Sequence, residues 1–277
     1  MTSHLAVDQQ VGQVKSPDGT AIAYWRAGAG PPLVLVHGTT ADHTRWTPVL
    51  PALAQRFTTY AIDRRGRGAS DDAPAYAIER EYEDVAAVID SLPAGVNLLG
   101  HSYGAICSLE AALLSGRAER LVLYEPPLGG DVEIYDPAVV RRMEQLLEAG
   151  DREGVVTTMM LDVVRVPPAQ LDLLRSLPAW QARVASAHTI VRELQASAQT
   201  GRDLDRFRRL TSPTLLLLGG ESPPFFRTAI ERLAQVLPNA RVAVMPGQHH
   251  TAIDTGTEIF LKEVLGFLTE ARPTSGL

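Results

Sequence analysis

Val96-Asn97-Leu98-Leu99-Gly100-His101-Ser102-Tyr103-Gly104-Ala105 is the stretch that decides the fold. An apolar run stops at Gly100, a serine stands two residues on, and a second glycine follows two beyond it. Ala105 to Leu114 then reads as helix. Gly-x-Ser-x-Gly between a strand and a helix is the context of a strained turn that lifts a serine hydroxyl clear of a sheet. Only the smallest neighbours fit beside such a serine. The same residues would also serve an ordinary glycine-rich strand–helix turn, so the reading depends on what surrounds them.

Outward from this turn the chain alternates short apolar strands with helices. Upstream, Ser16-Pro17-Asp18-Gly19 is turn chemistry ahead of the strand Ala21–Trp25. Leu33–Val36 is a short continuous apolar run, as expected of a strand covered on both faces. A helix is expected within Thr44–Gln55, a strand over Phe57–Ile62, and a helix over Ile78–Leu92. Downstream, Arg120–Tyr124 is a strand ending in Glu125-Pro126-Pro127. From about Asp136 to Arg209 the spacing is helical throughout, over Val139–Ala149, Arg152–Val164, Gln170–Leu177 and Trp180–Ala198. Strand–helix alternation resumes with Thr214–Leu218, Phe226–Leu237, Arg241–Met245 and Glu258–Leu268. The expectation is an α/β fold: a mostly parallel eight-stranded sheet flanked by helices. Residues 1–127 and 210–277 would form its core, with 128–209 inserted as a helical lid. Residues 1–11 read as a loose lead-in, and the tail from Arg272 as frayed.

Composition narrows the function. The 277 residues carry a net charge of −6 with no basic block, against a nucleic-acid partner. No apolar run reaches membrane-spanning length, and the start lacks a signal-peptide pattern. Cys107 is the single cysteine, so an internal disulfide and a thiolate metal site are both excluded. The cytoplasm is the expected compartment; oligomeric state is not legible.

Serine becomes nucleophilic when a base takes its proton, and histidine is the usual base. The histidines are His4, His37, His43, His101, His188, His249 and His250. One that follows the last strand fits the Ser…acid…His chain order, which points to Pro246-Gly247-Gln248-His249-His250. With His37-Gly38 after one strand, Asp63-x-Arg65-Gly66-x-Gly68-x-Ser70 after the next, and Gly100-x-Ser102-x-Gly104, the chain resembles the α/β-hydrolase fold family over roughly residues 12–270. Fold alone leaves the substrate open.

The resemblance implies Ser102 as nucleophile and His250 as base, with His249 a polar loop residue beside it. It further implies an oxyanion hole from the backbone amides of Thr39 and Tyr103, with the Thr39 or Thr40 hydroxyl able to add a hydrogen bond. His101 is expected to be structural. The acid departs from the common pattern, because Gly219-Gly220-Glu221-Ser222-Pro223 places Ser222 where an aspartate is usual. Glu125 is the favoured replacement, since a carboxylate buried at a strand end needs a partner. Some members of the family carry a glutamate there. Glu221 is the alternative; Asp63 and Asp254 are weaker candidates.

Ser102 implies an acyl-enzyme and hydrolysis of a carboxylic ester or lactone, with no cofactor and no metal. The segment 128–209 carries Met159, Met160, Leu161, Leu171, Leu173, Leu174, Trp180 and Ile190. Some of these pack helix on helix; the rest, with Trp180 and Thr40 taken as substrate contacts, would roof a pocket for an apolar acyl group. An acyltransferase or a lyase on the same three residues, or a ligand-binding protein on the same scaffold, would share most of these features.

Overall fold

The computed structural model describes residues 7–129, 134–198 and 200–271; the tail from 272 and the first six residues of the expected lead-in 1–11 lie outside them, and its last two residues are not loose but open the first strand at Gln10. The strands are β1 (Gln10–Lys15), β2 (Ala21–Ala27), β3 (Pro32–Val36), β4 (Thr58–Ile62), β5 (Val96–His101), β6 (Ala118–Tyr124), β7 (Thr214–Gly219) and β8 (Ala240–Met245). They form one eight-stranded sheet in the order β1-β2-β4-β3-β5-β6-β7-β8. The pairings β1–β2 and β2–β4 are antiparallel, and all others are parallel. β1 and β2 are the hairpin read from Ser16–Gly19, where Gly19 takes a φ of 92°.

Sheet alternation divides the core. Val34, Leu98 and Leu121 face one way, into a cluster with α2 (Ile78–Ser91), α3 (Tyr103–Ser115) and α9 (Pro224–Val236). Their neighbours Leu35, Leu99 and Val122 face the other way. There they meet α1 (Leu50–Ala54) and α11 (Thr257–Leu268), with α10 (Ala252–Thr255) just before it. Successive side chains on a strand point to opposite faces, so an unbroken apolar run is what a strand covered on both sides requires.

Between β6 and β7 come α4 (Pro137–Glu148), α5 (Arg152–Thr158), α6 (Pro168–Ser176), α7 (Ala179–Ala185) and α8 (Ile190–Ser197). They pack around a core of their own that includes Met143, Val156, Leu171, Leu174, Trp180 and Leu194. Two expected helices are interrupted. The helix from Arg152 widens into a π-turn over Met159–Val163. The run from Trp180 breaks at Ser186–Thr189, where Ser186 Oγ donates to the Arg183 carbonyl (3.0 Å) and Thr189 Oγ1 to the Ser186 carbonyl (2.7 Å). Hydroxyls that bond to nearby backbone compete with the helix ladder.

The helical segment is fastened to the sheet by buried ions. Glu193 of α8 accepts from both Arg64 and Arg67 in the loop after β4, and Arg64 also donates to Glu81 of α2 (2.7 and 3.0 Å). All four side chains are almost wholly excluded from solvent.

Candidate active site

β5 ends at His101 and α3 begins at Tyr103, so Ser102 alone makes the turn, at φ 56° and ψ −125°. A non-glycine residue held there costs on the order of 1–3 kcal/mol and persists because its surroundings leave no alternative. A Cβ on Gly104 would lie 2.2 Å from the Val36 carbonyl oxygen, and one on Gly100 2.6 Å from Ala105 Cα. The Ser102 amide donates to the Tyr124 carbonyl (2.8 Å), fixing the turn to the end of β6.

The residue after Tyr124 is Glu125, also in the left-handed region at φ 49°. Its carboxylate is fully buried. One oxygen accepts from the Gly219 amide at the end of β7 (2.6 Å), and the other lies 2.5 Å from His250 Nδ1. A carboxylate oxygen accepts, so the Nδ1 proton belongs to His250, and Nε2 is left as its basic nitrogen. The ring lies flat against Phe226, with centroids 4.3 Å apart and planes 12° apart. Glu221 is exposed, and its backbone amide donates to the Gln248 carbonyl (2.9 Å). The Ser222 hydroxyl is buried without a hydrogen-bond partner. The structure thus brings Glu125 to His250 and leaves Glu221 outside.

Thr39 lines the same cavity as Ser102, and Tyr103 follows Ser102 directly in the chain. Tyr103 opens α3, so its amide has no intrahelical acceptor; the amide of Thr39 likewise makes no hydrogen bond among the described residues. The Thr39 loop is braced from below. His37 Nδ1 donates to the Gly38 carbonyl (2.8 Å), its Nε2 accepts from the Arg64 amide (3.2 Å), and Arg67 donates to the Thr39 carbonyl (2.9 Å). The loop also abuts the serine: a Cβ on Gly38 would be 3.0 Å from Ser102 Cβ.

His101 stacks on Tyr124 and donates through Nε2 to the His250 carbonyl (3.0 Å). Burial, then the nearby His250, Arg45 and Arg183, push its pKa well below the usual imidazole value, so it is neutral. Asp63 accepts from the amides of His43 and Ala69, from His43 Nδ1 and from Trp25 Nε1, at 2.7–3.1 Å. It lies with Asp42 and His43 within 4.8 Å, but four donors already occupy its oxygens, and the cluster is a loop brace. Asp254, the other weaker candidate for the acid, pairs with Arg45.

Ser102, His250, His101, Thr39 and Thr40 line one cavity of about 30 Å³, room for a water or two. Met159, Met160 and Val164 close it from the helical segment. Trp180, expected at the substrate, is buried in the helical core with the Arg175 guanidinium over its ring, and it does not line the cavity. Helical spacing marks the apolar positions, but not which of two cores they enter. The expected apolar roof is present in Met159, Met160 and Val164, but Arg45 and Arg183, not foreseen, are also part of the wall. Each is a single arginine within a helical pattern, with no local signal to mark it.

Residues 33–260 match the model of the alpha/beta hydrolase family. Over 253 residues, 87% of this chain and 89% of the relative, the sequence is 28% identical to 2-(acetamidomethylene)succinate hydrolase of Mesorhizobium japonicum. An alpha/beta hydrolase from Sphaerobacter thermophilus superposes with a TM-score of 0.76 at 37% identity, covering 90% of this chain and all of that one. The esterase RhEst1 from a Rhodococcus species superposes with the same score at 25% identity, covering 94% and 98%. Strand order, the turn at Ser102 and these similarities agree, and the chain belongs to the alpha/beta hydrolase family.

Proposed function

We propose that the protein is a serine hydrolase that cleaves a carboxylic ester or lactone through an acyl-enzyme. The observation that carries this reading is the buried 2.5 Å contact between Glu125 and His250 Nδ1, beside a serine that shares the same cavity. Ser102 Oγ attacks the carbonyl carbon while His250 Nε2 takes its proton. His250 returns that proton to the leaving oxygen, which departs and leaves the acyl group on Ser102. Water then attacks, His250 takes its proton and passes it back to Ser102 Oγ, and the acid is released. Glu125 stays ionised, holds the ring in its Nδ1–H form and stabilises the imidazolium. The amides of Thr39 and Tyr103 receive the developing oxyanion, each a donor whose loss costs ~3–4 kcal/mol.

The helical segment 128–209 acts as a lid over the core formed by 1–127 and 210–277. Its residues Met159, Met160 and Val164 line the cavity that holds Ser102 and His250, so its position sets access for substrate. The reading needs no cofactor or metal and takes a small molecule as partner. The buried, unpaired Cys107 is compatible with a reducing cytoplasm.

A fluorophosphonate probe tests the proposal: it labels the native protein at Ser102 and not Ser102→Ala, and the variant loses ester turnover. An unlabelled native protein, with turnover surviving in Ser102→Ala, refutes it. Adding an alcohol acceptor separates hydrolysis from acyl transfer by the product formed.

A further inference from the structure

We infer that the substrate of this site carries a carboxylate close to the bond that is cleaved, and that Arg183 and Arg45 bind it; the inference rests on the Ser102 chemistry proposed above. Both guanidinium side chains line the cavity that holds Ser102 and His250. Arg45 is 3% exposed and Arg183 6%. A guanidinium taken out of water is costly unless matched by charge and hydrogen bonds.

Here the charge is not matched. Asp254 is bonded to Arg45 and lies 3.9 Å from Arg183, so one carboxylate serves two cations. The remaining contacts of Arg183 are neutral: the Thr40 carbonyl (3.1 Å) and Thr40 Oγ1 (2.9 Å). The Nε of Arg45 is buried with no acceptor. Asp42 is the other acid near Arg183, but it is half-buried and turned to the amide and hydroxyl of Thr44 (2.9 and 2.5 Å). Glu125 is taken by His250, and His101 is neutral. Burial first, then the like charge of Arg45, push the Arg183 pKa down to about 10.

In the loop after β4 the buried guanidiniums are matched by carboxylates. Arg64 and Arg67 share Glu81 and Glu193, and Arg65 holds both Asp84 and Asp18. Arg120, at the opposite end of β6 from Glu125, is bound by the carbonyls of Phe267 and Glu270. Beside Ser102, two buried guanidiniums that share the Asp254 carboxylate form part of the cavity wall. A carboxylate, planar and able to accept from two guanidiniums, is the group that removes the surplus. Thr40, which holds Arg183, is the chain neighbour of Thr39, whose amide faces the scissile carbonyl in the proposed reaction. Charge and carbonyl therefore belong to one short acyl unit, such as a half-ester of a short dicarboxylic acid. The apolar roof of Met159, Met160 and Val164 covers its methylenes.

Two esters with the same leaving group test this on the wild-type protein, nitrophenyl butyrate and nitrophenyl hemisuccinate, which share a four-carbon acyl chain. The hemisuccinate should have at least about tenfold higher kcat/KM. Arg183→Gln and Arg45→Gln, each checked by circular dichroism, should cut that preference about tenfold or more, mainly through KM. Arg183→Lys, which keeps the charge and loses the fork, should restore part of it. A wild-type ratio near one, or a ratio that survives both substitutions, overturns the inference while leaving the esterase reading in place. If neither ester is turned over, calorimetric titration with succinate and with its uncharged diamide decides: binding of the dianion alone sustains the anion site without the ester chemistry, and equal or absent binding of both removes it.

Discussion

Glu125→Gln separates the role of the carboxylate from its shape. Glu125 accepts from two donors at once, the Gly219 amide and His250 Nδ1. A glutamine has the same volume but one oxygen and one NH2. If its oxygen takes the Gly219 amide, its NH2 faces His250 Nδ1, which must then accept. The imidazole is forced to carry its proton on Nε2, where it cannot take one from Ser102. If the amide is turned over, two donors meet at Gly219, and a buried donor without an acceptor costs ~1–3 kcal/mol. The Gly219 amide thus selects the unproductive tautomer. Where an equivalent acid-to-amide change has fixed the wrong tautomer in an unrelated serine enzyme, kcat falls by about 10⁴. We expect a fall of roughly 10³ to 10⁴ in kcat for ester hydrolysis, little change in KM, and a melting temperature within a few degrees of wild type. Steady-state kinetics on a nitrophenyl ester and a thermal melt measure all three. Glu221→Gln, at an exposed position, should be silent. Retention of more than about a tenth of kcat in Glu125→Gln, or a comparable loss in Glu221→Gln, would refute the assignment of the acid.

Two further outcomes follow from the buried charges. Glu193→Gln leaves Arg64 and Arg67 under-neutralised in the interior, where breaking one side of such a pair costs roughly 3–5 kcal/mol. The melting temperature should fall by about 10 °C. kcat should fall too, because Arg67 also holds the Thr39 carbonyl; calorimetry showing a shift under about 2 °C would sink this. His37 and His101 both have pKa values well below the free imidazole value, through burial first and then nearby cationic side chains. Below pH ~6.5 the unfolded chain binds protons that the folded state refuses. Their contribution is therefore complete above that pH and is lost as pH falls toward the folded values, by up to ~1.4 kcal/mol per pH unit for each histidine. Urea midpoints of the wild type and His101→Gln between about pH 7.5 and 5.5 isolate one of them, and parallel curves would rule it out.

What could be read in advance was what is local. The apolar run, Gly100 and Gly104 dictate a turn at Ser102 because no side chain fits at either glycine, and a sequence displays that directly. His250 was legible through its place after the last strand. Glu125 was legible through a cost, since a carboxylate between Tyr124 and Pro126 at the end of a buried strand demands a partner. Trp180 was misplaced because a helix in a two-sided segment has no mark that says which side meets substrate. Arg45 and Arg183 were invisible for a different reason. Each reads as an ordinary helical arginine; their meaning arises when a turn after β3 and a helix of the inserted segment meet over one Asp254. A charge surplus belongs to a place in space and has no sequence pattern.

The position of Glu125 follows from the sheet itself. β6 and β7 are parallel neighbours in register from Leu121 with Thr214 to Tyr124 with Leu217, so their ends open onto the same point. A carboxylate can reach His250 from either strand, and the geometry sets which side chain will do so. From β6 the group must cross to the Gly219 amide at the end of β7, against a strand spacing of about 4.8 Å. A glutamate bridges that gap with its extra methylene, and the left-handed backbone at Glu125 directs it. Glu125 thus lies at the end of β6, immediately before the segment that carries α4 to α8. Pro126 and Pro127 stand between them, each with its φ fixed near −65° by the ring, and the Leu128 amide closes back onto the Pro126 carbonyl (3.0 Å). These rigid residues hold the chain directly after Glu125, whose carboxylate meets the Gly219 amide and His250 Nδ1.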